Sequence, residues 1–121
     1  MKRFGDIIKT KEEEFAKEKH MPIIDVPDSV KKGEFFEFTV TVGKDVPHPN
    51  TIEHHIKWIQ VFVDIEGRAP IHIGTFDFGP TFSEPKITLK LKLEKTVNIF
   101  ALEYCNLHGV WENVKKIEVE E

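Results

Sequence analysis

Residues 87–94 read Ile-Thr-Leu-Lys-Leu-Lys-Leu-Glu, and this stretch decides the fold class. Ile87, Leu89, Leu91 and Leu93 alternate strictly with Thr88, Lys90, Lys92 and Glu94. A period of two puts every apolar side chain on one face and every polar one on the other, which is a half-buried β-strand and not a helix. Residues 36–42 repeat the pattern: Phe36, Phe38, Val40 and Val42 alternate with Glu37, Thr39 and Thr41, and Gly43 ends the run. In residues 56–63 both sets are largely apolar, so that strand is expected to be covered on both faces. Further β-runs lie near 22–26, 70–79, 97–104 and 114–119. Turn-forming stretches separate them: GKDVPHPN at 43–50, EGRAP at 66–70, FGPTFSEP at 78–85 and NLHG at 106–109. About seven short strands with frequent turns predict an all-β, Ig-like antiparallel β-sandwich. Residues 1–19 are polar and weakly patterned, with one or two helical turns at most between Glu12 and Lys17, and read as a short irregular N-terminal arm.

The chain has 121 residues, including ten Phe and two Trp, enough for one domain spanning 1–121 with its own core. A net charge of −4 gives no electrostatic case for a nucleic-acid partner. No apolar run is long enough for a membrane span, so no membrane partner is expected. The N-terminus lacks a signal-peptide pattern, and a cytoplasmic location is expected. One Cys cannot form an internal disulfide, and five of the six His fall in short motifs.

Those motifs are Glu18-Lys19-His20, Pro47-His48-Pro49-Asn50, Glu53-His54-His55 and Cys105-Asn106-Leu107-His108. All but the His pair fall in expected loops or at strand ends, where rigid strands present functional groups. Each has an ordinary reading: a surface histidine, a proline-stiffened turn, a packed cysteine. If His54 and His55 lie in a strand they point to opposite faces, so one of them at most serves a given site. His72 has no motif neighbour and gets no role. Imidazole and thiolate suit zinc, copper or iron. A structural zinc site commonly takes more cysteine. A copper electron-transfer site wants two His, one Cys and an axial Met, and no Met follows His108. A thiol hydrolase leaves the other histidines idle. Four His with one thiolate leave one octahedral position open, which suits iron binding a small anion. Copper electron transfer and a zinc-bearing binding module remain open at this point.

Taken together, E-K-H at 18–20, H-P-N-T-x-E-H-H at 48–55 and Y-C-N-x-H-G-x-W-E at 104–112 resemble superoxide reductase of the one-iron, neelaredoxin type. The resemblance runs from about residue 17 to the end. The four-Cys module of the related two-iron desulfoferrodoxins has no counterpart, since Cys105 stands alone. The resemblance implies one non-haem iron held equatorially by His20, His48, His54 and His108 and axially by Cys105. It implies that His55 points away, that Glu18 takes the sixth position in the resting ferric state, and that Lys19 guides superoxide inward. It also implies superoxide as substrate, rubredoxin or a similar small electron donor as partner, and a homo-oligomer, with a tetramer the common form. Amides of the short cysteine loop are expected to tune the sulfur.

Overall fold

The computed structural model describes residues 1–10 and 20–121. Residues 11–19, which include the expected helical turns and both Glu18 and Lys19, lie outside the described residues. The elements in chain order are a short helix α1 (Phe4–Ile7) and strands β1 (Ile23–Asp25), β2 (Ser29–Lys31), β3 (Phe36–Thr41), β4 (Ile56–Val63), β5 (Ile71–Asp77), β6 (Lys86–Leu91), β7 (Val97–Cys105) and β8 (Gly109–Glu120). They form two sheets, one in the order β1-β3-β6 and one in the order β2-β8-β7-β4-β5.

The alternating stretches do what their period dictates. In the three-stranded sheet Phe38 pairs with Leu89 and Val40 with Ile87, and the same-face side chains of Phe38, Val40, Val42 and Ile87 are buried. The facing sheet answers with Val97, Ile99 and Ala101 from β7 and with Ile59, Val61 and Val63 from β4. Most of these core side chains are β-branched or aromatic, which pack well on a pleated surface. Leu93 lies past the end of β6 yet stays buried, so the alternation outlasts the paired strand.

The all-β sandwich is the expected one, with three refinements. An eighth strand, β2, pairs in parallel with the end of β8, so the five-stranded sheet is mixed. The second face of β4 is half-covered: Trp58 stacks on Tyr104 and Phe62 meets the edge of His72. The arm is also less irregular than expected, because Lys9 forms a bridge to Trp111. Its amide donates to the Val110 carbonyl at 3.1 Å, and its carbonyl accepts from the Glu112 amide at 2.9 Å. Among the described residues, no helix is long and apolar enough to cross a membrane.

Pairing places several chain ends together. Ile23 at the start of β1 pairs with Thr41 at the end of β3. Ile56 at the start of β4 pairs with Cys105 at the end of β7, and Cys105 also pairs with Gly109 at the start of β8. The segments before β1, between β3 and β4, and between β7 and β8 therefore meet at one end of the sandwich.

Candidate metal centre

Cys105 is the last residue of β7 and lies on its inward face, fully buried. The next three residues turn the chain into β8, and Gly109 closes the turn at φ +83°, a left-handed conformation that costs an L side chain steric strain. The tightness of this turn brings His108 back over the cysteine, with Nδ1 3.8 Å from Sγ.

His48 arrives from the long β3–β4 connection. Gly43 makes its approach possible: it has φ +78°, and a Cβ there would lie 2.4 Å from the His48 amide nitrogen. The prolines on either side stiffen the segment. The Nδ1–H of His48 donates to the Pro49 carbonyl at 2.7 Å, which fixes the tautomer and leaves Nε2 as a lone-pair donor. That Nε2 stands 3.3 Å from His20 Nε2 and 3.7 Å from Cys105 Sγ. Lys44, in the same connection, donates to Asp25 at 2.8 Å; this hydrogen bond and the carboxylate's charge raise its pKa.

His20 precedes β1 and is fully buried. Its ring stacks on the Trp111 indole at 4.7 Å between centroids and 15° between planes, and its Nε2 is 3.1 Å from His108 Nδ1. His54 completes the group, with its ring 4.7 Å from that of His48 and 5.1 Å from that of His108. The four imidazoles thus form a closed circuit, His20 to His48 to His54 to His108 and back, with adjacent planes 75–90° apart.

His54 and His55 lie in the bend before β4 and not in the strand itself. They still diverge. The Nδ1–H of His55 donates to the Thr51 carbonyl at 3.0 Å, and its ring is not part of the cluster. The β4–β7 register shifts between Ile56 and Trp58, an irregularity of the kind that re-aims side chains beside functional sites.

His20, His54, Cys105 and His108 each offer one ligand atom, and these atoms lie within 4.8 Å of one another. His48 falls outside that mutually close set but touches two of its members. Such crowding of imidazole nitrogens favours a cation among them. Metal–nitrogen bonds of roughly 2.0–2.1 Å put right-angle neighbours about 3 Å apart, close to the 3.1 and 3.3 Å seen between the histidine pairs. The donor set is nitrogen and sulfur, not oxygen, so zinc, copper and iron fit and calcium or magnesium do not.

Sequence reasoning missed the side chains that hold this arrangement. Asn106 Oδ1 accepts from the His55 amide at 2.8 Å, and its Nδ2 donates to the Glu53 carbonyl at 2.9 Å, fastening the His54 bend to the cysteine turn. Asn50 Nδ2 donates to the Ser83 carbonyl at 3.2 Å, and its Oδ1 accepts from the Thr81 amide at 2.8 Å. Trp111 is fully buried and donates its indole N–H to the His108 carbonyl at 3.3 Å, besides stacking on His20. The only signal was that each sits inside a long motif. Glu103 was also missed; it is fully buried two residues before Cys105 on the same inward face. His72 is exposed on β5, bonded to Thr75, and away from the cluster.

An all-β sandwich that gathers four imidazoles and one cysteine sulfur at the end of its sheets has the donor set of a histidine–cysteine metal site. The chain matches the Desulfoferrodoxin family over residues 12–114, and it belongs to that family. It is 40% identical to the superoxide reductase of Pyrococcus horikoshii over 105 residues, covering 84% of this chain and 89% of that one. It is 35% identical to the neelaredoxin of Megalodesulfovibrio gigas over 116 residues, covering 85% and 89%. The solved superoxide reductase (neelaredoxin) of Ignicoccus hospitalis superposes with a TM-score of 0.90 at 41% identity, covering 98% of this chain and all of that one.

Proposed function

We propose that this chain is a superoxide reductase that holds one non-haem iron through His20, His48, His54, His108 and Cys105. The single observation that carries it is the closed circuit of four imidazoles beside the buried Cys105 sulfur. When bound, iron supplies one-electron chemistry, so that superoxide, one electron and two protons give hydrogen peroxide.

The chain's own residues set the conditions. Four neutral imidazoles and one thiolate carry a single negative charge, less than a divalent ion's positive charge, so the loaded site still attracts an anion. Cys105 would hold the iron through its sulfur and would donate electron density to it. The amides of Leu107 and His108 would temper that donation by hydrogen-bonding the sulfur. The Pro49 carbonyl holds neutral His48 as the Nδ1–H tautomer, with Nε2 toward the cluster, and the Trp111 indole covers one face of the His20 ring. Glu18 would ligate the resting ferric ion, and Lys19 would draw superoxide to the opening.

A cytoplasmic, homo-oligomeric enzyme of one domain that takes electrons from rubredoxin or a similar small carrier is part of the same proposal. The protein purified after growth with iron should hold about one iron per chain and show a thiolate-to-ferric charge-transfer band, which Cys105→Ser should abolish. Zinc or copper at full occupancy, not replaceable by iron, would refute the proposal.

A further inference from the structure

Superoxide reduction, as proposed above, consumes one electron per turnover. Cys105 is the chain's only cysteine, so no internal dithiol can supply it. The electron must enter from outside, at a surface close to the metal-ligating cluster.

The loops that carry the cluster hold large apolar side chains in water. Ile52, two residues before His54, is 65% exposed, and Leu107, beside His108, is 59% exposed. Val46, two residues before His48, is 46% exposed, and Phe82 is 95% exposed. Hydrogen bonds tie together the loops that carry Ile52, Phe82 and Leu107. Asn106 fastens the Leu107 turn to the Ile52 bend. Asn50, just past His48, fastens its own segment to Thr81 and Ser83, the residues on either side of Phe82.

The turn under Phe82 is strained. Thr81 has φ +72°, the one left-handed non-glycine among the described residues. A β-branched side chain is a steric outlier there. Such strain persists where surrounding structure over-determines it, and it clusters at functional sites. Here the Thr81 amide is held by Asn50, and the result is a phenylalanine presented to solvent beside a metal-ligating loop.

We propose that Val46, Ile52, Phe82 and Leu107 form the docking rim for a small one-electron carrier protein whose redox centre lies near its own apolar surface. The proposal rests on the superoxide reductase reading. Four side chains offer at most a few hundred Å². That is below the roughly 800 Å² per partner that a stable complex buries, which argues against a permanent second copy on this rim. It matches the small encounters typical of electron transfer, in which the donor must leave after each electron.

The test uses the iron-loaded, oxidised full chain mixed anaerobically with reduced rubredoxin. The double variant Ile52→Ser/Phe82→Ser should lower the second-order reduction rate at least about fivefold. Its reduction by dithionite, its reaction with superoxide once reduced, and its mass in sedimentation should match the wild type. A wild-type rate with rubredoxin in the double variant would overturn the proposal, as would absence of second-order reduction of the wild type. A slowed rate accompanied by a changed mass would assign the rim to self-association and also overturn it. Failure of the pre-reduced wild type to consume superoxide would instead sink the functional reading, which the rubredoxin rates do not measure.

Discussion

His54 and His55 are neighbours in the chain and part company within one residue. One ring faces the imidazoles of His48 and His108, and the other turns back to the Thr51 carbonyl. On the proposed ligand set, His54→Ala should lose or severely weaken iron, whereas His55→Ala should retain it, read as metal per folded chain by circular dichroism and metal analysis. Equal loss in two well-folded variants would remove the assignment. Their divergence was legible in the sequence, but for a different local reason. A strand would have forced it through the pleat; the actual cause is a bend whose backbone is pinned by Thr51 and Asn106. Glu18 and Lys19 belong to the same scale. Lys19→Ala should slow the reaction of the reduced enzyme with superoxide by roughly tenfold at low salt and flatten its ionic-strength dependence, because a local cation steers an anion toward an acidic protein. Glu18→Ala should leave that rate nearly intact and change the ferric spectrum. Pulse radiolysis across a salt series separates the two, and an unchanged salt slope in Lys19→Ala would leave it an ordinary surface charge.

At the scale of elements, each site segment is held by its neighbours. Gly43 follows β3 in a left-handed conformation and leaves room for the His48 backbone. Gly43→Ala should therefore cost at least about 1–2 kcal/mol from φ alone, plus a displacement of His48. Chemical denaturation should show the first, and weaker iron retention the second. Full stability with unchanged iron affinity would mean that the His48 segment is not seated by this glycine. The long strands were readable because one face of each is packed, so side-chain character repeats with period two. β2 was not, because only Val30 of its three residues is buried and three residues carry no period. The start of β8 was not, because Gly109, Val110 and Trp111 follow the cysteine turn directly and Gly109 reads as a breaker. The arm's bridge at Lys9 was invisible for a different reason: it is made by backbone groups, to which the side chain contributes no pattern.

For the whole molecule, the two sheets act as a frame that delivers five donors from three separate segments to one end. The donor types were legible because five of the six histidines and the single cysteine fall in short motifs, whereas His72, outside any motif, lies away from the cluster. The supports were not, because an asparagine that clamps two loops looks in sequence like any turn residue. On the proposed function, the centre takes one electron at a time and makes peroxide only. The most direct measurement is the product balance when the reduced, iron-loaded protein meets excess superoxide with no electron donor present. Peroxide should appear in one burst equal to the iron, with no dioxygen formed by the protein, and consumption should then stop until a donor is added. Sustained turnover without donor, releasing dioxygen at half the superoxide consumed, would show a dismutase and contradict the account.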